Sequence, residues 1–471
     1  MSTVTEKKTA GFDLLRLLGI RQLILWRGFP YIFQAAMLLV FASLIILGWE
    51  RFAPAGVNEK LFAKTHLVTL LVWGLWWPAM VWVAVIFGRV WCSICPLELV
   101  SNFSERLGRR IGIRQRPLRR WVTSGAVIVA LYALIQLLVA GADIHRVPAY
   151  TALFLLGLLV MAFITSLFFR DRAFCRGFCP VGQLLSVYGQ GGMLAVRADS
   201  ETCRTCTSKG CLIASNRNNL DARSCPSLLN PPKLNSNREC LICTQCIKSC
   251  EPDNMRLLLR WPFHSADTRE PLANLPTTVF VMLVSGFVIW ELFTEWPAAE
   301  KVFLTAPHWL SQQIGVEWLT GYLEGFWALG VVPLALWLVT GSIVKVFDNR
   351  TSLRLAWRKL ALPMAVVVSA GHMAKGLAKF VSWAGFLPYA VKDPNGLDTL
   401  QGLANKTIAM PASLLSPLTS VVVAVCLLGI ALGLSLREMK LSHPQTRYIY
   451  FVPPVAIAVG FLFIVVGWTF K

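Results

Sequence analysis

The chain has 471 residues, of which 55% are hydrophobic and only 15% charged, and its mean hydropathy is +0.58. Soluble domains carry about 25% charged residues, so the composition excludes a disordered chain, a soluble single domain and a secreted disulfide scaffold, and indicates a polytopic membrane protein. The formal net charge of +20 would suit nucleic acid, but no nucleic-acid motif accompanies it, and orientation against anionic lipid accounts for it.

Residues 1–30 are basic and partly amphipathic, with Arg16, Arg21 and Arg27 ahead of the first apolar run. No small-residue cleavage site follows that run, so it is read as a retained helix. Runs long enough to cross about 30 Å of hydrocarbon fall at 31–49, 66–88, 121–141, 149–169, 275–296, 324–347, 361–385, 416–436 and 449–469. The expected fold is mostly α: a polytopic membrane bundle of about nine transmembrane helices with a small cytoplasmic two-cluster domain inserted. With residues 1–30 inside, 35 of the 45 Lys and Arg fall on the inner side and 8 on the outer. The positive-inside rule then puts the N-terminus and every cysteine motif in the cytoplasm and Lys471 outside.

Twelve of the thirteen cysteines lie between Cys92 and Cys250. Their paired spacing on a cytoplasmic face reads as metal or redox chemistry and not as disulfides. The unit 31–198 contains a duplication. Its first copy is Phe87-Gly-Arg-Val-Trp-Cys92-Ser-Ile-Cys95-Pro96, and its second is Arg172-Ala-Phe-Cys175-Arg-Gly-Phe-Cys179-Pro180. Each copy has an aromatic before the first Cys, Pro after the second, and then an apolar-periodic stretch (Leu97, Leu99, Val100, Phe103; Val181, Leu184, Leu185, Val187). Pro suits the first turn of a helix, which would seat Cys95 and Cys179 at helix N-termini, where the dipole favours a thiolate. Together Cys92, Cys95, Cys175 and Cys179 would suit Fe–S, Zn or Cu(I), and a redox dithiol is equally good chemistry.

Residues 199–258 carry the most specific motif. Cys240, Cys243, Cys246 and Cys250 form C-x2-C-x2-C-x3-C with Pro252 displaced by one residue, the bacterial [4Fe–4S] run, whose fourth Cys ligates the other cluster. The stretched first half is Cys203-x2-Cys206-x4-Cys211-x13-Cys225-Pro226. Crossing the fourth ligands assigns Cys203, Cys206, Cys211 and Cys250 to one cluster, and Cys225, Cys240, Cys243 and Cys246 to the other. Zinc ribbons also use C-x-x-C pairs, but the three-residue-period run favours two cubanes.

Duplicated Cys-Pro hairpins followed by a two-cluster module resemble the NosR/NapH-type membrane polyferredoxins over roughly residues 30–258. The family's membrane motif is C-x-x-x-C-P, which Cys175/Cys179 match and Cys92/Cys95 miss by one residue. The resemblance implies a multi-pass protein of the bacterial inner membrane. It implies a role as an electron-transfer subunit or a quinol-dehydrogenase-like oxidoreductase, with a quinone or redox protein on one side and an extracytoplasmic metalloenzyme or cytochrome on the other.

The C-terminal unit, 275–471, is Cys-poor and lies outside the resemblance. Its seventh helix carries His372, Lys375 and Lys379, at spacings of three and four that share one helical face. Ionisable residues inside a membrane suggest function, and here they would hold a quinone carbonyl, an anionic substrate or a haem propionate. His66 would pair with His372 if a b-type haem were bound, whereas His145 and His308 fall in expected outer loops. No P-loop, dinucleotide fingerprint or hydrolase triad is present.

Two function classes follow. In the first, low-potential clusters pass electrons between the cytoplasm or quinone pool and an extracytoplasmic acceptor, with quinone, flavin or haem completing the path. The second is a copper-reducing or metal-handling accessory protein, served by soft thiolates and the His372-Met373 pair. The expected outer loops lack a Met/His/Cys-rich copper segment, which favours electron transfer.

Overall fold

The computed structural model describes residues 10–444 and 447–470, and Lys471, expected outside the membrane, falls beyond them. Among the described residues, eight helices are long and apolar enough to cross a membrane: α1 (Tyr31–Gly48), α2 (Leu67–Phe87), α4 (Pro148–Phe168), α5 (Leu275–Phe293), α6 (Glu317–Phe347), α7 (Leu353–Ala384), α8 (Pro417–Ser442) and α9 (Tyr448–Gly467). The expected span 121–141 differs. Gly125, at φ 97°, separates Arg120–Thr123 from the 16-residue α3 (Ala126–Gly141). At 1.5 Å per residue α3 is about 24 Å long, short of the roughly 30 Å hydrocarbon core.

The chain divides into two compact units. The first comprises the residues up to 42, 83–128 and 157–269, and the second comprises 43–82, 129–156 and 270–471.

In the first unit, β1 (Phe12–Asp13), β2 (Leu194–Ala198) and β3 (Met255–Leu259) form an antiparallel sheet in the order β1-β3-β2, with Phe12 opposite Leu259 and Ala198 opposite Met255. The module is therefore wider than 199–258, and the N-terminal segment is one of its parts. Leu15 and Ile24 are buried with Val196, Ile242, Ile247 and Leu257, and Cys203, Cys240, Cys246 and Cys250 pack against this cluster. The Lys248 ammonium donates to the carbonyls of Trp26 and Phe29, at 2.7 Å each, and to Asp221 at 2.8 Å. These bonds tie the basic segment to the last cysteine run.

The helix Pro96–Arg110 begins with Pro96 in its first turn. Its apolar residues do not all face inward: Phe103 is exposed, while Glu98, Ser101, Asn102 and Glu105 are buried. The polar face is the packed one because it meets polar partners. Ser101 and Ser166 hydroxyls are 2.6 Å apart, and Ser104 donates to the Phe163 carbonyl at 2.5 Å. Gly108 lies against the Leu167 carbonyl, where a Cβ would approach to 2.6 Å.

In the second unit α7 is the central element. Its spanning window is 94% buried, against 22–56% for the other spans, and α2, α5, α6, α8 and α9 pack around it. It contains Pro363, whose carbonyl accepts from the Ser435 hydroxyl at 2.6 Å. A π-helical stretch, Leu70–Trp76, widens α2.

Candidate functional site

Cys203, Cys206, Cys211 and Cys250 line a single cavity of about 280 Å³. Asp199 caps the helix Ser200–Thr205 by accepting from the Glu201 and Thr202 amides, which presents Cys203 and Cys206 at the cavity. Asn254 joins the two sequence halves. Its backbone N–H donates to the Cys250 sulfur and its side-chain amide to the Cys203 sulfur, both at 3.3 Å. Burial raises the Cys203 thiol above its usual range and the Cys211 thiol to about 11. The Ser208 hydroxyl and nearby amides instead lower that of Cys206.

Cys225, Cys240, Cys243 and Cys246 form the second group. Ile242 and Thr244 take the left-handed conformation, at φ 53° and 58°. That conformation is rare for β-branched residues, and it curls the chain so that the three thiols of the run converge. Burial pushes Cys240 up to about 12 and Cys246 well above its ordinary value, and the neighbouring thiols of Cys243, Cys240 and Cys225 add to the effect at Cys246. Cys211 of the first group also bears on Cys246. Thiols held neutral in this way must release protons to become ligands, so loading is pH-dependent.

The structure brings Cys92, Cys95, Cys175 and Cys179 together as well. The one-residue difference between the copies is absorbed by helix type. Trp91–Ile94 is a single α turn, whereas Phe174–Phe178 is a π turn that closes with the Cys179 N–H on the Phe174 carbonyl at 2.8 Å. A π turn takes one more residue for the same reversal. The outcome is equivalent, since Cys95 accepts from the amides of Leu97 and Glu98, and Cys179 from those of Val181 and Gly182. In the second copy the helix starts at Gly182, so Pro180 precedes it instead of occupying its first turn. Burial dominates all the same, raising Cys95 and Cys175 far above the usual range and Cys179 to about 12.

Charged side chains close this site. Glu98 is 2% exposed. Its carboxylate pairs with Arg172 and, at 2.8 Å, with Arg223, and it accepts from Asn102 at 2.9 Å. Burial opposes its charge, but the two guanidinium groups win and hold it below the ordinary carboxylate range. Arg172 also donates to the Cys175 sulfur at 3.6 Å, and its charge bears on both Cys175 and Cys243. Arg223 comes from the loop between Cys211 and Cys225, so one buried ion cluster joins the Cys-Pro quartet to the module. Sequence reading missed Glu98, Arg172, Arg223 and Asn254. The one available signal was an acidic residue in the first turn after Cys95-Pro96.

Among the described residues, no group of three or more His, Cys, Asp or Glu is placed to hold a single metal ion. Thiols arranged around an open cavity suit a cluster, whose own bulk keeps its ligands apart.

His372 and Lys375 are buried on α7, and Lys379 is half-buried. His66 instead caps a helix start, its Nδ1 accepting from the Val68 N–H at 3.2 Å, and the cavity beside His372 is lined by His145. His145, expected in an outer loop, keeps only 18% of its side chain exposed. His308 pairs with Glu324 at 2.7 Å. Cys426 is exposed on α8.

The family model described as a 4Fe-4S binding domain matches residues 69–114 and 151–192, the two Cys-Pro hairpins and not the module. An uncharacterised protein of Methanocaldococcus jannaschii is 23% identical over 239 residues, 47% of this chain and 87% of that protein. The ferredoxin-type protein NapH of Escherichia coli is 27% identical over 193 residues, 37% of this chain and 63% of NapH. The methylamine utilization ferredoxin-type protein MauN of Paracoccus denitrificans is 25% identical over 172 residues, 34% and 54% of the two chains. The matches thus span between half and two thirds of NapH and MauN. No solved structure matches.

Proposed function

From the premise that the chain belongs to the NapH-type membrane polyferredoxin family, we propose that it carries electrons along three thiolate-held centres in its first unit. It is a membrane-associated iron–sulfur electron-transfer protein; the number of centres and their ligands are our reading. Cys203, Cys206, Cys211 and Cys250 would hold one [4Fe–4S] cluster, and Cys225, Cys240, Cys243 and Cys246 a second. Cys92, Cys95, Cys175 and Cys179 would hold a third centre shared between the two hairpins. The observation that carries this is the lining of one cavity by four cysteines drawn from both halves of the module.

A bound cluster supplies one-electron storage at a potential set by charge and by hydrogen bonds to its sulfurs. The protein's own residues supply those terms: Asn254 and Ser208 at the first quartet, and Arg172 at the Cys-Pro quartet. Arg172 and Arg223 place fixed positive charge between the second quartet and the Cys-Pro site, which favours an electron arriving at either. Electrons would pass between a cytoplasmic or quinone-linked donor and an extracytoplasmic acceptor, with the module on the cytoplasmic face.

The test is iron and acid-labile sulfide analysis, with EPR, on anaerobically purified full chain. About eight irons for the module, rising to about twelve with a third cubane, are expected from three four-iron centres. Stoichiometric zinc without sulfide would overturn the reading. A reporter inserted in 259–270 should register as cytoplasmic.

A further inference from the structure

The second unit contains a small cavity inside its helices, lined by apolar and ionisable side chains, that the electron-transfer reading does not use. It lies between α2, α3, α5 and α7, and the loop after α3 brings His145 to it. Its volume is about 30 Å³. Organic ligands occupy about 300–1,000 Å³, and a water needs about 10–15 Å³, so the space takes about two waters and no quinone or haem edge.

Its walls are rich in protonatable groups. On α7, His372 stands between the rings of Trp77 and Phe287, with centroids 6.3 and 5.8 Å away. Lys375, one helical turn on, has its ammonium 2.8 Å from Glu295, 3.7 Å from Glu291 and 2.6 Å from the Thr294 hydroxyl. Lys379 lies over the Trp383 ring at 5.1 Å. From the loop after α3, the buried Nδ1 of His145 makes no hydrogen bond, and Asp143 and Arg146 pair beside it at 2.8 Å. Exposure is graded, from 3% for His372 to 22% for the side chains of Glu291 and Glu295. The cluster therefore has a dry end and a wetter end. Two lysines offset two carboxylates, so an added proton meets no large excess of either charge. On the α2 wall, Trp73 belongs to the π-helical stretch, a distortion frequent at functional sites, and Trp77 and Pro78 follow directly after it.

We propose that this cavity is a proton-relay site: it binds water, and protons pass through that water between His372, Glu291 and His145. Each hop breaks one O–H or N–H bond and forms another, and no electron moves. Lys375 is a positioning residue that holds Glu291 and Glu295 at the cavity mouth. Intramembrane chains of His and carboxylate groups are the usual means of moving protons through helical bundles.

The test uses the full chain in phosphatidylethanolamine–phosphatidylglycerol vesicles containing a pH-sensitive dye, with a potassium gradient and valinomycin imposing the potential. Proton entry should exceed that of protein-free vesicles, and Glu291→Gln and His145→Gln should each lower it at least about tenfold, with iron and sulfide content unchanged. Should Glu291→Gln fail to assemble, His145→Gln, which lies on a loop, reads the same quantity. Entry no faster than in protein-free vesicles, or unchanged in an assembled variant, would overturn the proposal.

Discussion

The side-chain amide of Asn254 donates to the sulfur of Cys203 across 3.3 Å, although the two residues stand 51 positions apart. The same residue's backbone N–H reaches Cys250, so one asparagine holds a ligand from each half of the module. Hydrogen bonds to a charged group contribute about 1.5–3 kcal/mol. Asn254→Ala should therefore make the potential of the Cys203 cluster more negative by on the order of 50 mV or more and leave the second cluster near its original value. An EPR-monitored redox titration checks this, and equal shifts in both clusters would count against it.

The Glu98 carboxylate pairs with both Arg172 and Arg223. Removing one partner of a buried ion group leaves uncompensated charge and typically costs about 3–5 kcal/mol. Glu98→Ala should lower the unfolding temperature and the iron content together. The double variant Glu98→Ala/Arg223→Met should recover part of the loss, because it removes one of the stranded charges. A double variant no better than the single one would assign Glu98 a role apart from charge.

Cys95 and Cys179 each accept from two backbone amides at matched positions. Cys95→Ala and Cys179→Ala should each stop electron flow from a low-potential reductant to an added acceptor while the module's two cubane signals persist. A packing role would instead lower stability, typically by about 0.5–3 kcal/mol, and spare turnover in the protein that still folds. Normal turnover in both variants would make the quartet structural.

His66 is fully buried, and its Nδ1 accepts from the Val68 N–H while its Nε2 makes no hydrogen bond. Burial, with Arg51 adding to it and Asp393 opposing, lowers its pKa from 6.5 to about 4. A depressed histidine contributes stability that is complete above about pH 6.5 and is lost as pH falls through about 4. The loss amounts to roughly 3 kcal/mol. His66→Asn keeps an N-cap acceptor and should flatten the fall in thermal stability between pH 7 and 4. An unchanged acid limb would rule out His66 as its cause.

The grouping of the candidate-site cysteines was legible in sequence because the proposed thiolate ligation would constrain their spacing directly. The run from Cys240 to Cys250 must loop tightly to present three sulfurs, and the Cys-Pro duplication repeats one local geometry. Membrane character was equally plain, since hydrocarbon demands long apolar runs whatever their neighbours. The helix of the third run starts later than the apolar run because Gly125 interrupts it, and hydropathy averages over a single left-handed residue.

Composition, the apolar runs and the cysteine spacings were thus decided by the chain itself, because each depends on residues near one another in sequence. What only the tertiary structure decided were the long-range meetings. The N-terminal strand pairs with Leu258 and Leu259. Glu98 meets Arg223 from 125 residues away. A π turn makes the Cys175–Cys179 copy equivalent to Cys92–Cys95, and His145 comes to lie beside α7. A buried charge is tolerable only when a partner arrives from elsewhere in the fold. A lone glutamate after Cys95-Pro96, or a histidine in a loop, therefore says little until packing supplies its surroundings.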